Sequence, residues 1–196
     1  MPYSIKAYFP LGFYQGKGIQ GGFERLPTPA RLHAALVAGA YNLERLEGRF
    51  SGSLSPLDQS VFDWLEACPP DAVLAPHCMA DEGNAIAYRN TGLIGASKKT
   101  KTKGDAAFKK VSASSRCFLD GSISWFWVDV PSDEIRDRID QIVQEVPYLG
   151  EAVCPVIIGA SSIEEIPQNA LHRCAPSFDS IGLAIAQPGR HQAWEQ

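Results

Sequence analysis

The chain opens on a period of two. Tyr3, Ile5, Ala7 and Phe9 alternate with Ser4, Lys6 and Tyr8, which predicts a half-buried strand. Gly12, Gly16, Gly18, Gly21 and Gly22 then crowd a loop from Leu11 to Phe23. At Thr28-Pro29 the period changes. Thr28 is a good N-cap, Pro29 suits the first helical position, and Leu32, Leu36, Ala40, Leu43 and Leu46 follow at helical spacing. A helix is expected to about Glu47, with Arg31 in its first turn. Ser55-Pro56 opens a shorter helix on Leu57, Val61 and Leu65, and Pro69-Pro70 ends it. Residues 71–83 read as irregular, with a short strand at Ala72-Val73-Leu74.

Alternation resumes over 84–89. Ile123 to Val130 is the strongest strand signal in the chain. Pro131-Ser132 caps a third helix, whose apolar face is Ile135, Ile139, Ile142, Val143 and Val146 and whose first turn carries Asp133 and Glu134. Val153–Ile158 is read as the last core strand and 182–186 as a further short one. With the 55–68 helix as an addition, the order is strand, helix, strand, strand, helix, strand. That is the split βαβ order of an α+β, ferredoxin-like (RRM-like) sandwich, whose two middle strands are 84–89 and 118–130. The expected organisation is one domain over 1–196 with an insertion at 90–117. No internal repeat is present.

Charge changes this picture. The net charge is -4, yet Arg89, Lys98, Lys99, Lys101, Lys103, Lys109, Lys110 and Arg116 face only Asp105 between positions 89 and 116. That stretch carries +7 and the remainder -11. It has almost no large apolar side chain between Gly95 and Ala107, so by itself it cannot bury much surface. Clustered ammonium groups match a polyanion without reading its sequence. Six such contacts to single-stranded RNA give a salt slope of about -4, at roughly 0.7 per contact. The alternatives are a solvated charged loop or a docking site for an acidic protein.

Other candidate chemistry is sparser. Alternation puts Trp125 and Trp127 on one face of their strand and Phe126 and Val128 on the other. The RNP1 pattern of base-stacking sheets is missing, and core packing is the favoured reading. His33, His77, His172 and His191 are scattered. His33 sits two residues after Arg31 and is a candidate general base for metal-independent RNA cleavage, against a helix-surface His without a catalytic role. His77-Cys78 and His172-Arg173-Cys174 become metal half-sites only if the fold joins them. The five cysteines (68, 78, 117, 154, 174) form no C-x-x-C pair, which fits reduced thiols in a cytoplasm. The glycine loop allows close backbone approach to a phosphate. No apolar run reaches membrane-span length, and the start lacks a signal-peptide pattern.

Three segments carry a family resemblance: Leu26-Pro27-Thr28-Pro29-Ala30-Arg31-Leu32-His33-Ala34-Ala35-Leu36-Val37-Ala38, Val61-Phe62-Asp63-Trp64-Leu65-Glu66-Ala67-Cys68-Pro69-Pro70, and Tyr148-Leu149-Gly150-Glu151-Ala152-Val153-Cys154-Pro155. Over about residues 3–160 the chain resembles the first half of the type I-G (formerly I-U) CRISPR RAMP proteins. Those proteins join a handle-binding Cascade subunit of the Cas-five type to a crRNA-processing half. The resemblance implies a RAMP fold with a long hairpin, or thumb, that grips the 5′ handle of the crRNA. It implies the backbone and large subunits of a type I effector complex as partners, with target DNA inside that complex. It places the lysine stretch at the thumb, Arg31 in the first-helix segment, and Tyr148 and Gly150 in the glycine loop before the last strand. The implied RNA contacts are Lys98, Lys99, Lys101, Lys103, Lys109, Lys110 and Arg116, with Arg89 and Arg31 nearby, and backbone groups around Gly150. The processing half has no counterpart in these residues, so no RNase activity is carried over. Pre-crRNA cleavage remains the alternative, and no cofactor, metal or membrane contact is expected.

Overall fold

The computed structural model describes residues 1–17, 23–49, 52–81, 115–173 and 182–192, together with the backbone ladder of 86–90 and 108–112. Among the described residues the fold is α+β, with three helices and antiparallel sheets. The first strand, β1 (Tyr3–Tyr8), leads into the short pieces β2 (Phe13–Tyr14), β3 (Gly16–Lys17) and β4 (Phe23–Glu24). Helices α1 (Pro29–Leu46) and α2 (Pro56–Ala67) follow, then β5 (Ala72–Leu74), β6 (His77–Asp81), β7 (Ile86–Asn90), β8 (Phe108–Ser112), β9 (Arg116–Asp120) and β10 (Ser122–Trp127). Helix α3 (Asp133–Gln144), β11 (Ile157–Ser162) and β12 (Leu171–His172) close the described chain.

All three helices start where cap chemistry places them. Thr28, Ser55 and Ser132 each accept a hydrogen bond from the backbone N–H three residues on, which satisfies one of the otherwise orphaned first-turn donors. The main sheet has the order β11-β1-β10-β5-β12, antiparallel throughout. Period two decides its faces. Tyr3, Ile5 and Ala7 of β1 and Ile123, Trp125 and Trp127 of β10 are buried together with Leu32, Leu36 and Val37 of α1, Val61 and Phe62 of α2, and Ile139, Ile142 and Val143 of α3. Each of the larger of these side chains contributes about 1.5–3 kcal/mol on leaving water. Trp127 also places its indole N–H 2.7 Å from the Cys68 carbonyl, which satisfies the one polar atom it buries. Phe126 points to the opposite face and packs with Ala72 and Ala170.

The helix layer is tied by ions as well as by apolar contact. Arg138 of α3 is 4% exposed and forks onto Asp58 of α2, with Nε 2.6 Å and Nη2 2.9 Å from its two carboxylate oxygens. Its Nη1 reaches Glu47, just past α1, at 3.3 Å. Asp58 also accepts from Ser55 Oγ at 2.7 Å, and Ser55 N–H donates to Glu44 of α1 at 2.8 Å. Burial raises the Glu44 pKa, so Glu44 keeps its proton more readily than a free carboxyl. For Asp58 burial acts the same way, but the Arg138 and Ser55 hydrogen bonds outweigh it and the pKa falls. At Gly39 the layer is tightest. A Cβ there would lie 2.8 Å from the Ile142 carbonyl oxygen and 2.8 Å from Val146 Cγ2, so α1 and α3 can approach this closely only over a glycine.

Three sequence expectations are corrected. The strand expected at 84–89 does form, as β7, but it pairs with β8 in a separate ribbon, and the place beside β10 in the main sheet goes to β5. The last core strand is β11, four residues later than expected, because the chain first turns at Glu151–Cys154 and bridges back from Pro155 to Tyr148, which carries Cys154 and Val156 into the core. Residues 182–186 make no strand. That segment lies over the start of α1, where the Ala184 carbonyl accepts from the Ala30 N–H at 3.0 Å.

Candidate nucleic-acid interface

The basic stretch grows from the core sheet. β5 and β10 pair there, with Val73 opposite Trp125. Both strands then bend, one at Pro76 and the other at Gly121, whose φ is +131°. Beyond the bend the same two strands continue as β6 and β9, paired from His77↔Asp120 to Asp81↔Arg116. β2 joins this ribbon on its far edge, with Phe13 opposite Phe118 and Tyr14 opposite Cys117. Further out the chain pairs once more, as β7 with β8, from Ile86↔Ser112 to Asn90↔Phe108. The connecting segments are 82–85 on one arm and 113–115 on the other, so the two ladders differ in register by one residue. Arg89 is paired with Lys109 and Tyr88 with Lys110 in this outer ladder. Lys98, Lys99, Lys101 and Lys103 lie outside the described residues.

The candidates at the root of the arm converge on β2. Arg116 lies with its guanidinium carbon 5.4 Å from the Phe13 ring centre and 5.8 Å from that of Phe118, and its Nε is 3.6 Å from Asp81. Tyr14 is fully buried, and its hydroxyl donates to Glu24 Oε2 at 2.5 Å. Arg31 donates to the same oxygen from Nη2 at 2.9 Å and from Nε at 3.2 Å, and also to the Lys17 carbonyl. Arg31 thus holds β3 and β4 against α1, and Glu24 offsets its charge. Burial, followed by the Glu24 hydrogen bond, raises the Tyr14 pKa far above the usual phenol range.

Gly150 meets the other side of the same strand. Its φ is +99°, and a Cβ would stand 2.6 Å from the Gln15 carbonyl oxygen and 2.6 Å from Tyr14 Cε2. Glu151 N–H donates to that carbonyl at 2.9 Å, and Gln15 Nε2 donates to the Glu151 carboxylate at 2.8 Å. Cys154 accepts from the Gln15 N–H at 3.1 Å, and burial raises its pKa, which keeps the thiol protonated and unreactive. Tyr148 is 45% exposed beside this turn and bridges Pro155 through the backbone. The structure therefore brings together Arg31, Arg116 and Gly150 through Phe13, Tyr14 and Gln15. Sequence reading missed Glu24 and Tyr14, although a lone acid beside a glycine loop and an arginine three residues into a helix were the available signal.

His33 is not on the helix surface. It is 4% exposed, with Nε2 2.9 Å from Glu66 Oε1. The same oxygen takes His191 Nδ1 at 3.1 Å and the His191 N–H at 2.8 Å, and Phe62 packs against both rings. Burial lowers the His33 pKa, against the pull of Glu66. The His33 ring is turned toward Glu66 and Phe62 and away from solvent. The cluster instead fastens residues 190–191 to α1 and α2. Among the described residues no group of three His, Cys, Asp or Glu side chains is arranged to hold a metal ion, and no helix is long and apolar enough to cross a membrane. Comparison with protein-family models and with curated proteins finds no match to this chain.

Proposed function

We propose that this chain is a noncatalytic RNA-binding subunit of a type I CRISPR effector complex, of the I-G/I-U-like RAMP kind, that caps the 5′ handle of the crRNA. In this reading the fold is ferredoxin-like and the arm is its thumb. The main-sheet order supports it, since β11-β1-β10-β5 runs fourth, first, third, second through a βαββαβ chain. The observation that carries the reading is the arm itself. The one strongly basic stretch of an acidic protein is borne on a ribbon rooted in the central strands, and not on a free terminus. Its outer ladder sets Arg89 directly across from Lys109. The glycine turn at Gly150 and the β2 segment then sit at the foot of the arm, where the handle would end. The backbone and large subunits of the complex are the protein partners in this reading.

The test is binding of a repeat-derived handle RNA by the protein and by the variant with Lys98, Lys99, Lys101 and Lys103 changed to Ala. The variant is expected to lose affinity and to flatten the slope of log K against log salt by roughly 3, at about 0.7 per lost phosphate contact. Unchanged affinity and slope would remove the thumb from the interface.

A further inference from the structure

The ribbon formed by β2, β9 and β6 has two unlike faces. Tyr14, Cys117 and Leu119 point into the core. The residues between them point outward. Phe13, Phe118 and Met79 stand in one row across the three strands, directly opposite one another in register. Phe118 is 40% exposed and Met79 63%, while Phe13 at the edge of the row is half-buried and also packs against the core. Arg116, two residues from Phe118 on the same side, lies over both phenylalanine rings. Asp81 stands across from Arg116, and His77 and Asp120 flank the row on its other side.

We propose that this outward row is a stacking platform for the bases of single-stranded RNA, with Phe118 as its centre and Arg116 and Met79 as its borders. The inference rests on the RNA-binding reading and adds to it the surface that takes the bases. Every base presents a π-face, and an exposed aromatic ring with a guanidinium beside it binds that face whatever the sequence. A phosphate-binding arm without such a surface holds only the backbone of its ligand. Here the platform ladder and the outer basic ladder are built from the same two lengths of chain, β6 leading to β7 and β8 returning to β9, so a strand whose phosphates follow the arm brings its bases to the root. A protein partner fits less well. Three apolar side chains in one row fall far short of the roughly 800 Å² that a stable partner face contributes.

The experiment separates bases from phosphates. Fluorescence polarisation compares two labelled strands of about 12 nucleotides, within the range one such surface spans. One is an ordinary oligouridine RNA and the other an abasic strand with the same phosphates. The protein is expected to bind the oligouridine more tightly. Phe118→Ala is expected to weaken oligouridine binding about 5- to 100-fold, as loss of one stacked base does, and to leave the abasic strand and its salt slope unchanged. Phe118→Tyr, which keeps the ring, is expected to restore the difference, and an unchanged urea midpoint for Phe118→Ala excludes misfolding. Equal binding of the two strands, or an equal loss on both in Phe118→Ala, overturns the platform and leaves the arm standing. Binding of neither strand overturns both.

Discussion

Tyr14 and Arg31 meet on a single atom, Oε2 of Glu24, although one belongs to a strand edge and the other to the first turn of a helix. The carboxylate accepts both, and the Arg31 guanidinium also lies against the phenol oxygen. Tyr14→Phe removes one donor and keeps the ring that packs against Gly150. We expect a loss of about 1–2 kcal/mol, the usual cost of taking one partner from a buried polar group, read from the urea midpoint. A neutral result would show that water replaces the phenol.

Glu24→Gln acts in the other direction. It removes the acid that offsets Arg31, whose side chain is 32% exposed. RNA affinity at low salt is then expected to rise a few-fold, because one fewer negative charge stands beside the basic surface. If affinity falls instead, Glu24 matters for the shape of the loop more than for its charge.

The contact at Gly39 makes a sharper prediction. In an exposed helix, Gly→Ala stabilises by about 1 kcal/mol. Here the new methyl meets a backbone oxygen that cannot rotate away. Gly39→Ala is expected to destabilise the fold by about 1–3 kcal/mol, as overpacking does. A higher melting temperature for this variant would show that α1 and α3 separate at little cost.

Removal of Arg138 should be the most damaging single change in the helix layer. Arg138→Met leaves Asp58, which is fully buried, without its bidentate partner. A loss of about 3–5 kcal/mol is expected. The double variant Arg138→Met with Asp58→Asn should recover part of it, since no charge is then stranded. Denaturant unfolding of the two variants side by side checks the coupling.

Stability should also fall with acid in the range where most proteins are indifferent. Burial lowers the His33 pKa in the folded state, so the unfolded chain takes up that proton first. The contribution of His33 is complete above pH of about 6.5 and is lost as pH drops through the depressed folded value. One such proton gives a slope of at most about 1.4 kcal/mol per pH unit. Glu66 adds to the loss at lower pH. Burial pushes its pKa up, but the hydrogen bonds from His191 prevail and hold it down. His191 and the exposed Asp63 also border the cluster. His33→Gln should flatten the slope below pH of about 6.5, and equal slopes in both proteins would assign it elsewhere.

Much of the fold could be read from local chemistry. Thr28-Pro29, Ser55-Pro56 and Ser132 mark their helix starts because an N-cap needs only its own hydroxyl and the next turn. The two long strands at the centre of the main sheet were visible, β1 through its period and β10 through its run of β-branched and aromatic residues. β5 was harder to rank because three residues give no period, and 84–89 alternates just as well in a ribbon as in a central sheet. The charged residues of the helix layer were missed for a different reason. Arg138 lies on the same stripe as Ile135, Ile139 and Ile142, and that position was the clue to its burial. His33 likewise sits between Leu32 and Leu36, and only α2 and the 182–192 segment, distant in sequence, decide that it is covered.

The bend at Pro76 and Gly121 divides one hairpin into two regimes of selection. Inside it, each residue of β5 and β10 answers to the tryptophans and helices it touches. Outside it, the same two strands serve two masters: Cys117 and Leu119 still answer to the core, while Met79 and Phe118 on the other face answer only to what lies beyond the protein.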